Sequence, residues 1–112
     1  MNVTGIWQIT SSPDFDDAYL RMEVEPYVNL TQTGDWVSGT YHVGLQQGDL
    51  DGRLESEDRV AFSFEGMDEM DEVHGRGLLR IGDTQVQFIL QYHQGDTFTF
   101  VCERPTTLTE PV

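Results

Sequence analysis

No lysine occurs anywhere in the 112 residues, and six arginines are the only fixed cations against twenty acids, leaving a net charge of −14. A protein so poor in positive charge cannot grip nucleic acid or an anionic membrane through a basic surface, so neither is expected as a partner. The same balance favours solubility, a cationic partner or a high-salt habitat. It resembles that of halophile proteins, although a high-GC genome or chance supplies it equally well. Cys102 is the single cysteine, which excludes an intrachain disulfide. No apolar run approaches the ~18 residues of a spanning helix. Strand-like sequence starts by Val3, with no visible signal peptide, so a cytoplasmic location is expected.

Chemistry-bearing patterns are equally scarce. There is no G-x-S-x-G, no family pattern pairing cysteine with histidine, and no phosphate-cradling glycine loop. A non-catalytic protein without a cofactor is therefore expected. Metal ligation is not expected either. "DFDD" at 14–17 and "MDEMDE" at 67–72 match no EF-hand or repeat-type calcium loop, and His42, His74 and His93 all fall on outward-facing positions.

What the chain does contain is alternation. Helical periodicity is nearly absent, while apolar and polar residues alternate with period two through eight segments, near 2–9, 19–31, 36–43, 48–56, 59–65, 72–81, 84–93 and 96–104. Turn signals such as "TGD", "SED" and "QGD" separate several of them. The longest connections are predicted at 10–18 and 66–71, and Pro26 predicts a kink or bulge inside the second strand. "WVSGTYHV" at 36–43 shows the sorting problem: Trp36, Ser38, Thr40 and His42 share one face, Val37, Gly39, Tyr41 and Val43 the other. Extending the parity along the chain places the second set inside. They join Trp7, Ile9, Leu20, Met22, Val24, Leu50, Phe62, Phe64, Phe88, Leu90, Tyr92, Phe98, Phe100, Cys102 and Arg104.

Eight consecutive strands, each apolar on one side, are satisfied by an all-β, antiparallel up-and-down β-barrel, which removes both sheet edges and encloses one core. The alternative is a β-sandwich. The barrel is expected to span 1–104 as a single domain, followed by a loose C-terminal tail at 105–112.

Gly5-Ile6-Trp7 on the first strand and Arg104 on the last resemble the calycin superfamily of lipocalins, fatty-acid-binding proteins and avidins. There a G-x-W opens the barrel and a terminal arginine packs across the tryptophan at the closed end. Gly5, Trp7 and Arg104 are accordingly expected to close the barrel, with the guanidinium buried against the indole. "SGTY" at 38–41 is similar to the G-T-Y of avidins. The avidin resemblance would place ureido-binding asparagine, serine and threonine where this chain has Ile9, Pro13 and Val43, so biotin binding is not expected.

Two surfaces are candidates for function. Loops following strands 1, 3, 5 and 7 share one end, ringed by Asp14, Asp16, Asp17, Asp68, Glu69 and Asp71. An acidic mouth over an aromatic interior would draw a small apolar or cationic ligand onto Tyr41, Phe62, Phe88, Tyr92 and Phe98. An eight-stranded barrel is just wide enough to hold one small ligand or to be filled by its own side chains. The alternative is therefore a ligand-free, self-associating or protein-interaction module with a filled core. The outer wall of strands 7, 8 and 1 carries almost no charge, and Ile6, Leu78, Gln87, Ile89, Thr99 and Val101 form its predicted interface for a homodimer.

Overall fold

A computed structural model describes residues 2–104; the predicted tail at 105–112 lies outside them. Eight strands follow one another around a closed barrel, each antiparallel to the next: β1 (Gly5–Ser11), β2 (Tyr27–Thr33), β3 (Trp36–Val43), β4 (Gln46–Ser56), β5 (Arg59–Asp68), β6 (Asp71–Ile81), β7 (Gln85–Tyr92) and β8 (Thr97–Glu103). The ring closes where β1 meets β8, through Gln8–Glu103, Ile9–Cys102 and Ser11–Val101, with a register shift between Ile9 and Ser11. A sandwich is thereby excluded. No helix among the described residues is long and apolar enough to cross a membrane.

The alternation of the sequence is realised as inside and outside. Trp7, Val28, Val37, Tyr41, Leu50, Phe62, Leu79, Phe88 and Cys102 are all buried in one core. Along the barrel rungs, large inner residues take turns with glycine: Leu30–Gly39–Leu50–Phe64–Gly75–Tyr92 on one, Val37–Gly52–Phe62–Gly77–Leu90 on the next. A small barrel has room for rings only if adjacent strands yield space, so the bulky side chain of one strand lies over the glycine of its neighbour. Where a side chain at position 77 would begin, the Phe62 ring and the Ile89 carbonyl already stand.

Three expectations require correction. Residues 19–25 are not strand. Asp17–Leu20 form a single helical turn, α1, and the chain then runs irregularly to β2 at Tyr27. Leu20 is buried as predicted, but Met22 and Val24 are exposed. Pro26 sits before β2 rather than within it, its carbonyl accepting the Ile9 N–H at 2.9 Å, as suits a residue without an N–H of its own to offer a ladder. Asp16 caps the turn by accepting the Tyr19 N–H at 2.9 Å, and Arg21 bridges Asp17 and Glu25 at 2.6 and 3.1 Å. These polar ties hold the segment off the sheet.

The segment 66–71 is the second correction. β5 and β6 run on to Asp68 and Asp71, leaving only Glu69, with φ of +57°, and Met70 to turn the chain. Arg104 is the third, for it is exposed rather than interior. Its guanidinium lies 4.3 Å from the Trp7 ring centroid and donates to the Thr4 and Asn2 carbonyls at 3.1 Å each. It therefore seals the closed end from outside, beyond the last rung of β8. Gly5 makes that seat: its φ is +133°, and a Cβ there would stand 2.9 Å from the arginine Nη1. The positive φ demands glycine, whereas the arginine tip could shift.

Candidate functional site

At the opposite end, the loop between β1 and β2 folds across the barrel opening. Phe15, just ahead of the helical turn, stacks on Tyr19 at 4.7 Å between ring centroids and leans on Phe98 and Phe100 at 4.9 and 5.8 Å. With buried Leu20 these rings plug the mouth. The plug is held on two sides. The Leu20 carbonyl accepts the Gly44 N–H at 3.1 Å and the Tyr19 hydroxyl accepts the Leu45 N–H at 3.4 Å. Across the opening, Ser12 Oγ donates to the Thr99 carbonyl at 2.6 Å, and the Asp14 carboxylate accepts the Thr99 N–H at 2.7 Å. Glu23 meets His42 Nε2 at 2.9 Å on the outside. Asp14, Asp16 and Asp17, three acids expected to ring the mouth, thus spend their oxygens holding the segment in place.

Beneath the plug lies the one buried polar side chain of the described residues, Gln46. Its amide donates to the Tyr41 hydroxyl at 2.7 Å and accepts from the Tyr92 hydroxyl. Burial pushes the Tyr41 phenol up to about 12, against the lowering effect of the Gln46 bond and with Asp49 and Asp68 adding to the rise. Burial raises Tyr92 as well, reinforced by Tyr41 and Asp68. At neutral pH the trio is therefore an uncharged hydrogen-bonding centre. Two hydroxyls and an amide carry four donor hydrogens, and the two bonds among them use only two. The surplus matches a ligand oxygen or a water.

All five predicted ligand residues are gathered here. Tyr41 packs on Phe88 at 5.4 Å, Phe88 on Phe62 at 5.6 Å, and Tyr92 on Phe98 at 5.4 Å, with Phe64 bridging to Tyr92 at 5.6 Å. They pack on one another, and the larger concavities lie on the outer wall, such as a groove of about 710 Å³ beside Asp49, Asp51, Glu65 and His74. Cys102 is buried and its thiol is pushed up to about 12 by desolvation, so almost no thiolate exists for nucleophilic attack. Among the described residues, no group of three or more histidine, cysteine, aspartate or glutamate side chains is gathered as a metal site. His74 and His93 stack on each other at 5.0 Å.

Sequence reasoning missed Gln46, which it left in a turn before the fourth strand, and the plug residues Phe15 and Tyr19. A signal for the plug exists. Asp16 is a good N-cap, and apolar residues one before and four after it, Phe15 and Leu20, fit a hydrophobic staple. One helical turn is too short to register as periodicity.

The predicted interface is only partly brought together. Leu78, Ile89 and Thr99 share one rung and Gln87 pairs with Val101 on the next. Ile6 stands apart: because Gln8 pairs with Glu103, Ile6 falls beyond the described end of β8 and neighbours Pro26 and Tyr27 in a separate groove of about 430 Å³.

Raised phenol values have a consequence for stability. Tyr41 ionises near 10 when unfolded and near 12 when folded. Its contribution is complete below pH 10 and is lost as the pH rises from 10 through 12. Melting curves recorded across that window should show Tm falling by several degrees. Tyr41→Phe should flatten the decline.

No family model and no curated protein sequence matches the chain. Among solved structures it is similar to a redesigned β-barrel, mFAP1, bound to DFHBI, with a TM-score of 0.64 over 91% of this chain and 94% of the other. At 12% identity the likeness is one of fold.

Proposed function

We propose that this barrel is a non-catalytic, calycin-like binding protein whose ligand is a small, largely apolar or cationic molecule seated under the Phe15–Tyr19 plug. The observation that carries the reading is the centre formed by buried Tyr41 and Gln46 with half-buried Tyr92, at the plugged end of an otherwise apolar interior. Core packing alone does not call for two phenols and an amide with unspent donors, since a leucine in place of Gln46 would be the simpler filling. Three acids at and beside the β5–β6 turn, Asp68, Glu69 and Asp71, disfavour an anion at the opening. That mFAP1 holds a small molecule is in keeping with a barrel of this size accepting one.

Binding requires the plug to swing out, and its ties suit that: a handful of hydrogen bonds, the Phe15 contacts with Phe98 and Phe100 and the buried Leu20, rather than a strand ladder. The test is native mass spectrometry of the protein from its own host, followed by titration of the released molecule into wild type and Tyr41→Phe. A retained molecule in 1:1 ratio, bound about tenfold more weakly by the variant, is the expected result. A wild type that carries no molecule and takes up none after Phe15→Ala opens the mouth overturns it.

One observation favours the second reading, an interaction module with a filled core: the inner rings are in direct contact with one another. On either reading, we propose a homodimer through the rung of Leu78, Ile89 and Thr99. Two copies of charge −14 approach most easily across their least charged walls. Light scattering behind size exclusion should give twice the monomer mass, and Ile89→Glu should halve it while leaving the circular dichroism of the barrel intact. A wild-type monomer at high concentration removes the idea.

A further inference from the structure

Arginine is scarce in this chain and carboxylates are abundant, so each arginine should find an acid easily. Arg21 holds two of them, Arg53 lies over Trp36 at 4.6 Å, Arg104 has Trp7 and two carbonyls, and Arg76 stands between uncharged neighbours, Ser63 and Gln91. Arg59 and Arg80 do otherwise. They stand directly opposite each other across the β5–β6 ladder, and among the described residues neither has a carboxylate oxygen within 4.0 Å. Like charges facing across a rung destabilise a sheet. The same rung continues to Gln87 on β7. A groove of about 390 Å³ is lined by both arginines with Gln85, Gln87, Ile81 and Asp58.

The nearby acids are already engaged. Asp58 accepts the Ser56 hydroxyl at 2.8 Å, and Glu103 accepts the Gln85 amide at 2.8 Å. Each spends one carboxylate oxygen there, and among the described residues neither comes within 4.0 Å of the Arg59 or Arg80 nitrogens, which share one groove without an ion pair. We propose that Arg59 and Arg80 form an anion site for the phosphoryl group of a small molecule. A carboxylate offers two oxygens and one charge, which a single fork satisfies; a tetrahedral dianion accepts from two forks at once and neutralises both. The remaining negative charge of the protein does not forbid this. At physiological salt the Debye length is about 8 Å, so the adjacent pair outweighs distant acids, and its two charges exceed the single one of Asp58 in the groove. The site is on the outer wall near the closed end and does not depend on the plugged interior.

The test follows the arginine Nε–Hε resonances of the intact protein while inorganic phosphate is added at a pH where it is a dianion, with acetate at matched ionic strength as control. Saturable shifts of Arg59 and Arg80, about tenfold tighter for phosphate than for acetate and lost in Arg80→Gln, are expected. A linear response, an equal response to acetate, or equal movement of Arg53 and Arg76 overturns the proposal. In phosphate-free buffer Arg59→Gln should melt at the same temperature as wild type or higher, because it relieves repulsion. A lower Tm would make the pair structural and overturn the proposal equally.

Discussion

Trp7→Ala should cost about 3–5 kcal/mol of unfolding free energy, the range for removing a fully buried aromatic ring. Small domains hold only about 5–15 kcal/mol in all, so this single change should bring the barrel close to its unfolding threshold. The loss has three sources. The indole is buried in the core, and its Nε1–H donates to the Val3 carbonyl at 2.9 Å, tying down the chain before β1. Its face also carries the Arg104 guanidinium, which would then bridge the Asn2 and Thr4 carbonyls over a void. Urea denaturation followed by far-ultraviolet circular dichroism measures it. Trp7→Phe keeps a ring and loses the N–H bond, so it should fall well short of the alanine loss. Arg104→Gln should cost about 1 kcal/mol, since an exposed cation–π contact is worth little more. If alanine at position 7 costs no more than glutamine at 104, the closed end is not where the barrel is pinned.

A methyl group added to the inner wall is expected to do comparable damage. Gly77→Ala should destabilise by about 3 kcal/mol, near the upper end for overpacking, because the new Cβ meets both the Phe62 ring and the Ile89 carbonyl. The ring alone could turn aside; the carbonyl belongs to β7, whose seven pairings with β6 fix its distance. Strand separation would have to grow along that whole ladder. Gly34→Ala is the contrasting case. Position 34 has no atom near its would-be Cβ and only a φ of +60° to object, so about 1–2 kcal/mol of backbone strain is the whole penalty. Thermal melts of the two variants should therefore be ordered with Gly77→Ala lower. A reversed order would mean that the large–small alternation along the rungs is not what packs the interior.

Much of this architecture was legible before any coordinate. Parity alone put Trp7, Tyr41, Phe62, Phe88, Tyr92 and Cys102 inside, and inside they are. Alternation is a local property: successive side chains on a strand must point to opposite faces whatever the rest of the chain does. Eight such segments leave two open edges unless the first pairs with the last, so closure was also a sound inference from the residues.

Parity does not tell where a strand stops or how far it slides against its neighbour. Leu20, Met22 and Val24 keep the rhythm of a strand, yet the Asp16 cap and the Arg21 bridges turn that segment into a plug. Gln46 reads as turn until β4 is seen to begin with it, which is why the hydrogen-bonding centre stayed hidden while its two tyrosines did not. Ile6 has the outward face expected of it, but lies beyond the wall formed by Leu78, Ile89 and Val101. Arg59 and Arg80 are twenty-one residues apart and meet only because β5 and β6 pair in one particular register. The sequence by itself thus decided the number of strands and the face of the residues within them, through a two-residue period that every strand carries alone. Only the tertiary structure decided the offsets between strands and what covers the mouth, since those are set jointly by all eight strands when the ring shuts.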